Sequence, residues 1–280
     1  MKILVCGKKG FVANKLIKFL KKKQSKFIAF SSKDVNLLSQ SSSKKLKKIK
    51  KNKYIIVFLS TLTPDKGKDK KTFKKNILMM NNFFKNFPKR YIGHFIYVSS
   101  DAVYSMNDKY IYDKTRPNPQ DLYGSMHLKR ERIVKMKISK NNYVILRPVA
   151  VYGKGDTHNS YGPNRFFKQL KNNEKIKIFG KGQDVRSHLF IDDLVKIIDT
   201  VIVHKITGTL NISSVKSYKF IDIAKKIVKL FYNKYKYRGS IEFINNKNNP
   251  TRRYFKNLKV LKFINTKSLK NIDEGLNKLV

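Results

Sequence analysis

The sequence of 280 residues contains a single cysteine, Cys6, and no tryptophan. One cysteine cannot form a disulfide within the chain, which indicates a reducing compartment. No apolar run is long enough to span a membrane, and the first one, residues 2–6, is too short for a signal-peptide core and is followed by a glycine. From these absences we expect a cytoplasmic protein with no membrane span.

Acidic residues are scarce: 18 aspartates and glutamates stand against 63 lysines and arginines, and the formal net charge is +45. A charge of this size is typical of nucleic-acid binders. Only ten of the basic residues are arginine, however, and the excess of lysine is the pattern of AT-rich codon usage. We therefore expect a solvated basic surface that attracts anionic substrates, with a nucleic-acid partner as the less favoured alternative. The densest patch, 41–53, is expected to be an exposed helix followed by a loop.

Histidine is also rare, with five in the chain. Two of them, His158 and His188, lack a cysteine or carboxylate partner at metal-ligand spacing. We therefore predict no metal site and expect both to be ordinary loop and strand residues.

Short apolar segments alternate with segments of helical periodicity in the first half of the chain. Strands are predicted at 2–6, 26–30, 54–60, 95–99 and 143–146, and helices at 12–22, 73–87 and 121–137. This alternation predicts an α/β fold with a Rossmann-type, doubly wound parallel sheet. Beyond Gly153 the elements are shorter and separated by Gly-, Asn- and Pro-rich loops. We expect a dinucleotide-binding domain at 1–153 and a smaller α+β lobe for the substrate at 154–280, some of whose segments return to the first domain.

The first strand is followed by Gly7 and Gly10, which open a helix. In a dinucleotide-binding turn, Gly7 would permit the tight bend and Gly10 the close approach of the backbone to a pyrophosphate at the helix N-terminus. Ala13 stands where a third glycine is usual and adds one methyl group. This turn predicts the cofactor end of the fold.

The second predicted strand ends in Ser31, Ser32 and Lys33, and an acidic residue, Asp34, comes only afterwards. An acidic residue at the strand end would bind the ribose hydroxyls of NAD. Two hydroxyls and an ammonium suit the 2′-phosphate of NADP better, so the sequence favours NADP over NAD. The alternative is that Lys33 is one more surface lysine.

Several motifs occur in one order along nearly the whole chain. After the glycines they are Asn76, the segment Ser99-Ser100-Asp101-Ala102-Val103-Tyr104, Tyr123-Gly124 with Glu131, Leu146-Arg147-Pro148, the segment 179–186, Asp193 and 273–276. In this order they resemble the extended short-chain dehydrogenase/reductase family, which includes NAD-dependent epimerases, dehydratases and reductases of nucleotide sugars. Together and in this order, the motifs are far more specific evidence for the family than any one of them alone.

The resemblance implies hydride transfer between a nicotinamide and a sugar carbon. Tyr123 would move the proton on the reacting oxygen, and Ser100 would hydrogen-bond the same oxygen. Alternatively, Ser100 is only a strand-end serine that caps a turn, and Tyr123 is only a half-buried helix tyrosine. The implied cofactor contacts are Gly7, Gly10, Phe11, Val12, Ser31, Ser32, Lys33, Leu59, Asn76 and His127.

His127 departs from the family pattern, which has a lysine at this position. It lies one helical turn after Tyr123 and can reach the same ribose, whereas Lys129 is off that face. A neutral histidine cannot lower the pKa of Tyr123 as a lysine does, and this disfavours oxidation more than reduction. The sequence therefore leaves three readings of His127: a catalytic residue in an enzyme inclined to reduction, a residue that only binds the ribose, and the mark of a low-activity or non-catalytic NAD(P)-binding module.

For the substrate, the resemblance implies a nucleotide-diphosphate sugar contacted by Asp101, Asn164, Arg165, Arg186 and Arg253 (or Arg252). Arginine grips a phosphate at two points, which lysine cannot do. Arg186 has the alternative of pairing with Asp184 or Asp193.

Ala102 stands where dehydratases of the family carry an acid, which favours an epimerase or reductase over a 4,6-dehydratase. We also expect a role in polysaccharide biosynthesis. Helices 73–87 and 121–137 either pair in a homodimer, as the resemblance implies, or simply pack on the sheet.

Overall fold

A computed structural model describes residues 1–156, 162–246, 249–256 and 258–280. The chain divides into two compact units. The first unit contains residues 1–104, 116–148 and 195–210, and the second contains 105–115, 149–194 and 211–280. Relative to the division expected at residue 153, residues 105–115 and 149–153 lie in the second unit and residues 195–210 lie in the first.

The elements are numbered here in chain order. The strands are β1 (Lys2–Cys6), β2 (Phe27–Phe30), β3 (Tyr54–Phe58), β4 (Ile92–Val98), β5 (Tyr110–Ile111), β6 (Tyr143–Pro148), β7 (Ala150–Tyr152), β8 (Ile176–Phe179), β9 (Val185–Phe190), β10 (Gly208–Ile212), β11 (Ser217–Lys219), β12 (Ile241–Ile244) and β13 (Tyr254–Phe255). The α-helices are α1 (Phe11–Lys22), α2 (Gln40–Ser43), α3 (Lys70–Asn86), α4 (Leu122–Lys137), α5 (Gly162–Lys171), α6 (Ile191–His204), α7 (Phe220–Tyr235) and α8 (Ile272–Leu279). In the densest lysine patch, the expected helix is the short α2, and a 3-10 helix at Lys44–Lys48 follows it.

The main sheet has six strands in the order β10-β6-β4-β3-β1-β2. The pairings of β1 with β2 and β3, of β3 with β4 and of β4 with β6 are all parallel. The chain runs from β1 outward to β2 and then returns to β3 on the other side of β1. Ligands of doubly wound folds bind at such a reversal, beyond the carboxyl ends of the strands. The predicted Rossmann-type α/β fold is confirmed, and its switch point lies between β1 and β3.

The core of the first unit is apolar on both faces of the sheet. All five residues of β3 are buried, as in a parallel sheet that is covered on both sides. Phe58 of β3 packs edge-on against Phe83 of α3, with ring centroids 5.3 Å apart. Helix α4 differs, because its buried side chains include His127, Arg130 and Glu131. Polar groups are therefore inside the fold at α4, where the candidate chemistry lies.

The second unit is built from short sheets and helices. Strand β9 pairs in parallel with β7 and antiparallel with β11, while β8 with β12 and β5 with β13 form two-stranded parallel sheets. Among the residues described, no helix combines the length and the apolar character needed to cross a bilayer.

Candidate active site

The turn from β1 to α1 has the geometry of an anion-binding turn. Gly7 has a φ of 95°, and its N–H and that of Lys8 donate to the carbonyl of Phe30 at 3.0 and 2.9 Å. A Cβ on Gly7 would lie 3.0 Å from the carbonyl carbon of Leu59 and from the backbone nitrogen of Ser60, which directly follow β3. Only glycine therefore lets the two strand ends approach this closely.

Gly10 precedes the first turn of α1, and no side chain caps this helix. The first turn, with the half-buried Phe11 and Val12, contains no acidic side chain. Ala13, in the place of the third glycine, is fully buried. The N-terminus of α1 thus keeps its donors and its positive dipole end for an anion at the switch point.

At the end of β2, Ser31 is buried, while Ser32 and Lys33 are exposed. Asp34 folds back, so that its carboxylate accepts hydrogen bonds from the N–H and the hydroxyl of Ser31 at 2.8 and 2.9 Å. These bonds, with the charge of Lys8 and Lys9, lower the pKa of Asp34. Of the two hydroxyls and the ammonium expected here, the Ser32 hydroxyl and the Lys33 ammonium are exposed, whereas Ser31 is buried and bound to the exposed Asp34.

Asn76 of α3 is buried and bound to the loop after β3. Its side-chain oxygen accepts from the N–H of Leu62 at 2.8 Å, and its side-chain nitrogen donates to the carbonyl of Leu62 at 3.0 Å. The position of the loop that begins with Leu59 is therefore fixed by α3 as well as by Gly7.

Ser100 follows β4 and begins the 3-10 helix Asp101–Val103. Its Oγ accepts a hydrogen bond from the N–H of Ala102 at 3.1 Å, which is the capping role left open by the sequence. The N-terminus of α4 packs on this turn, since a Cβ on Gly124 would lie 2.0 Å from the carbonyl oxygen of Ala102. The chain segments that carry Ser100 and Tyr123 therefore meet at Gly124.

Tyr123 and His127 are in contact on one face of α4. Their rings pack edge to face with centroids 4.6 Å apart, and Tyr123 is half-buried. The hydroxyl of Tyr97, from β4, lies 2.7 Å from Nδ1 of His127. Nε2 of His127 is buried and has no hydrogen-bond partner among the residues described.

Burial sets the protonation of this cluster. Loss of solvent and the nearby charge of Arg130 lower the pKa of His127 to about 3, so the imidazole is neutral at pH 7. Burial also raises the pKa of Tyr97. Tyr97 thus keeps its phenolic proton, and Nδ1 of His127 is the acceptor within hydrogen-bond distance of it, which places the histidine proton on the unpartnered Nε2.

Arg130 lies under this cluster and is fully buried. Its Nη2 and Nε both donate to the carbonyl of Asn76, the latter at 2.8 Å. Its Nη1 donates to the carbonyl of Ser60 and to the hydroxyl of Thr61, both at 2.9 Å. Sequence reasoning missed Arg130 and Tyr97. The available signal was the position of Arg130, two helical turns after Tyr123, in a chain where arginine is rare.

Four residues of the family motifs form a buried network instead of a binding surface. Arg147 makes two hydrogen bonds to the carboxylate of Glu131, at 2.9 and 2.6 Å, and a third to the hydroxyl of Tyr104 at 2.7 Å. Ser99 donates to the same carboxylate at 2.7 Å. This network fixes α4 to β4 and β6, and so determines where Tyr123 stands.

These features fit the dinucleotide that the resemblance implies. The turn has Gly7 where the two strand ends approach closely, and the helix after it has no side-chain cap. His127 has a buried N–H with no hydrogen-bond acceptor among the described residues. The residues that would hold the group all lie in the first unit.

The predicted substrate residues Asn164, Arg165, Arg186 and Arg253 lie in the second unit. The side chain of Asn164 is buried and makes hydrogen bonds to the N–H and the carbonyl of Gly153, at 3.0 and 2.9 Å. Arg165 lies over the ring of Phe179, 5.7 Å from its centroid.

Arg186 donates to the carbonyl of Val185 at 2.9 Å and lies 3.8 Å from the carboxylate of Asp184, so the alternative pairing with Asp184 is present. Arg253 is buried and Arg252 exposed. A contact of any of these side chains with a substrate stays a prediction.

No group of three or more histidine, cysteine or acidic side chains within the described ranges could hold a metal ion. His188 lies in β9 as a buried residue, whereas His158 lies outside the described residues.

The sequence pattern of the NAD dependent epimerase/dehydratase family matches residues 3–213. A curated relative, dTDP-D-glucose 4,6-dehydratase from Dictyostelium discoideum, is 27% identical over 197 residues, which are 63% of this chain and 44% of that protein. The chain spans less than half the length of the curated relatives it matches. Because such relatives include dehydratases, the comparisons do not support the exclusion of dehydration drawn from Ala102.

Solved structures share the fold over almost the whole chain. RMD from Pseudomonas aeruginosa, complexed with NADPH, aligns with a TM-score of 0.83 and 17% identity over 99% of this chain and 97% of that one. UDP-glucuronic acid 4-epimerase from Bacillus cereus, in complex with NAD, aligns with a TM-score of 0.75 and 20% identity over 99% and 96%. At these identities the likeness shows the fold, and the match of the family pattern to residues 3–213 carries the assignment. The chain belongs to the NAD dependent epimerase/dehydratase family.

Proposed function

We propose that the protein is an NAD(P)-dependent oxidoreductase or epimerase that acts at a keto or hydroxyl carbon of a nucleotide-diphosphate sugar. The observation that carries the proposal is the packing of Tyr123 on His127 at the start of α4, against the turn that holds Ser100. We place the enzyme in the cytoplasm, in the biosynthesis of polysaccharides.

The bound nicotinamide would supply or accept the hydride, and the chain's own residues handle the proton. Tyr123 exchanges its phenolic proton with the sugar oxygen. Ser100 accepts from the N–H of Ala102, which leaves its hydroxyl proton to donate to the same oxygen. The Nε2 proton of His127 is available for a ribose hydroxyl. In the second unit, the arginines 165, 186 and 253 with Asn164 are the proposed ligands of the diphosphate, and Asp101 is proposed to contact the sugar.

A neutral His127 favours reduction, because reduction begins with a protonated phenol whereas oxidation needs the phenolate. The same neutrality favours a second candidate function, a low-turnover module that binds NAD(P). The two differ in whether any sugar is converted.

The test is a panel of nucleotide 4-keto and 4-hydroxy sugars with NADPH, NADH or the oxidised forms. Stoichiometric consumption of cofactor identifies a reductase, exchange of isomers without net consumption an epimerase, and formation of a 4-keto-6-deoxy sugar a dehydratase. Binding of NADPH with no conversion of any sugar identifies the second candidate. We expect Tyr123→Phe to abolish conversion with cofactor binding retained, and full turnover by this variant would overturn the proposed role.

We propose NADP as the preferred cofactor, because Ser32 and Lys33 are exposed at the end of β2 and Asp34 is engaged by Ser31. Replacing Lys33 by glutamate should weaken NADPH binding by about tenfold or more and spare NADH, since a charge-assisted contact with the 2′-phosphate is replaced by repulsion. The matched control is Lys53→Glu, at an exposed lysine directly before β3, at the amino ends of the parallel strands. Equal losses of NADPH affinity in the two variants would count against a 2′-phosphate site. Equal losses of NADPH and NADH affinity in Lys33→Glu would also count against it.

A further inference from the structure

The position where the family has a lysine holds a neutral side chain here, although the helix beside it carries a buried cation. His127 is 2% exposed and uncharged at pH 7, so it cannot stabilise a phenolate at Tyr123 by charge. Arg130 follows three residues later on the same face and is 0% exposed. Its guanidinium stays protonated at neutral pH although burial lowers its pKa.

The hydrogen bonds that hold Arg130 leave its charge in place. They run to the carbonyls of Ser60 and Asn76 and to the hydroxyl of Thr61, all of them neutral oxygens. The neighbouring carboxylate, Glu131, is already bound at two points by Arg147. In a buried site with little screening, such a cation acts on nearby groups more strongly than a surface lysine does.

The groups nearest to Arg130 are the side chains of the proposed site. Arg130 interacts electrostatically with Tyr97, whose hydroxyl lies 2.7 Å from Nδ1 of His127. Tyr123, packed on His127, also interacts electrostatically with Arg130. The cation and the phenol are therefore two ends of one cluster that spans two turns of α4.

We propose that Arg130 supplies the fixed positive charge that favours the phenolate of Tyr123, in place of the lysine that the family carries at position 127. Arg130 is a positioning residue in this scheme, because it acts through the electrostatics of Tyr123 and touches no substrate. The inference rests on the proposed function of Tyr123, and it gives the enzyme a route to oxidation that a neutral His127 alone would deny.

The other titratable groups around the phenol do not supply this charge. His127 and Tyr97 are neutral, and Asp101, in the turn against α4, is an acid and acts in the opposite sense. Lys129 is exposed and lies over the ring of Phe73, 5.9 Å from its centroid.

The experiment measures the ionisation of Tyr123 in the protein without cofactor or substrate. Tyrosine labelled with ¹³C at Cζ gives one NMR signal per tyrosine, and Tyr123→Phe assigns the signal. We expect Arg130→Met to raise the Tyr123 pKa by about one unit or more, the size of the interaction with a charge at an effective dielectric constant near 20. In turnover, the limb of the pH profile where oxidation rises with ionisation of Tyr123 should move to higher pH by the same amount, which lowers the oxidation rate at pH 7 about tenfold.

Two further variants separate charge from structure. Arg130→Lys keeps the charge and loses several hydrogen bonds, so it should retain the parent's Tyr123 pKa, whereas a purely structural role predicts equal damage from Arg130→Lys and Arg130→Met. The double variant His127→Lys/Arg130→Met returns the charge to the family's position and should restore the parent's Tyr123 pKa.

If Arg130→Met does not fold, the Tyr123 pKa of the unsubstituted protein tests the inference. A Tyr123 pKa below the ordinary tyrosine value of about 10 supports the inference, and a value at or above it overturns the inference. An unchanged Tyr123 pKa in a folded Arg130→Met also overturns it, yet leaves the proposed function standing if the sugar panel shows turnover. If no sugar in the panel is converted but Arg130→Met shifts the Tyr123 pKa, only the proposed function is rejected.

Discussion

His127 shows how burial changes what a residue can contribute. An exposed histidine is partly protonated between pH 6 and 7, whereas His127 has a pKa near 3 and a proton on Nε2. The side chain therefore acts as a neutral hydrogen-bond donor whose orientation is set by Tyr97. Replacement of a lysine by this histidine changes the charge at the position as well as its shape.

The single substitution His127→Lys should destabilise the protein, because it places a second cation beside Arg130 in a site that is 2% exposed. Uncompensated buried charges cost about 3–5 kcal/mol, so a loss of that order is expected in the free energy of unfolding measured with urea. The loss should shrink in the Arg130→Met background, where only one cation remains. Lys129→His, two residues along on the exposed side, should change stability by about 0.5 kcal/mol or less. An equal loss in both backgrounds would show that the two side chains do not interact.

The turn after β1 depends on contact with the loop after β3, and two glycines allow this to be measured. Gly7 and Gly155 have nearly the same positive φ, 95° and 93°. A Cβ on Gly7 would lie 3.0 Å from the backbone of Leu59 and Ser60, whereas a Cβ on Gly155 would meet no atom of the described residues within 4 Å.

Gly155→Ala should therefore cost only the strain of the left-handed conformation, about 1–2 kcal/mol. Gly7→Ala should cost more and should also weaken NAD(P) binding, because β1 and β3 must separate at the switch point. Thermal unfolding and cofactor titration of both variants provide the comparison. Equal stability losses with unchanged cofactor binding would mean that the approach of the two strands has no role in the site.

At the scale of elements, long periodic segments could be predicted and short strands could not. The strand predicted at 2–6 and the helices predicted at 12–22 and 121–137 lie within one residue of β1, α1 and α4. Helix α3 starts at Lys70 rather than 73, because Asp69 caps it by accepting from the N–H of Thr72 at 2.8 Å. The five-residue β10 has no periodicity of its own and depends on pairing with β6.

The glycine turn could be proposed from its place between a strand and a helix, and Ser100, Tyr123 and His127 could be proposed from the family resemblance of the motifs that contain them. Arg130 could not, since its partners Ser60 and Asn76 come from segments 70 and 54 residues away. Contacts at that separation depend on the packing of α4 against α3 and on the loop after β3.

For the molecule as a whole, buried neutral histidines predict loss of stability in mild acid. His127 and His188 each have a pKa lowered to about 3 by burial. Between pH 6.5 and 3 these two residues bind about two more protons in the unfolded chain than in the native state, and burial lowers the pKa of His94 in the same sense. Stability therefore falls as pH falls through this window and is fully present above it. The expected loss is about 2.7 kcal/mol per pH unit from the two residues.

Urea unfolding at pH 7, 6 and 5 tests this. His188→Phe, at a ring packed edge-on against Phe220, should lower the slope of unfolding free energy against pH by about 1.4 kcal/mol per pH unit. His204→Gln, at an exposed residue that ends α6, serves as the control with an unchanged slope. A flat profile in the parent would contradict the neutral state of both buried residues.

The proposed homodimer through α3 and α4 must form against repulsion between like charges. The exposed positions of these helices carry Lys70, Lys71, Lys74, Lys75, Lys85, Lys129, Arg132, Lys135 and Lys137, and their one acidic residue, Glu131, is buried and paired. A groove of about 620 Å³ on this face is lined by Phe73, Ile77 and Leu78 among lysines, so apolar contact is available once the charges are screened. A two-fold interface would bring the same basic surface from both copies together.

Self-association should therefore strengthen with salt, in contrast to an interface held by ion pairs, because the Debye length falls from about 30 Å at 0.01 M to about 8 Å at 0.15 M. Sedimentation equilibrium at low and high salt should show a dissociation constant that falls as salt rises. Lys74→Glu, with a glutamate facing lysines of the second copy, should promote the dimer at low salt, while Lys22→Glu, on the exposed end of α1, should not. A dimer that weakens with salt, or an unaltered monomer in every condition, would place any assembly of this protein on another surface.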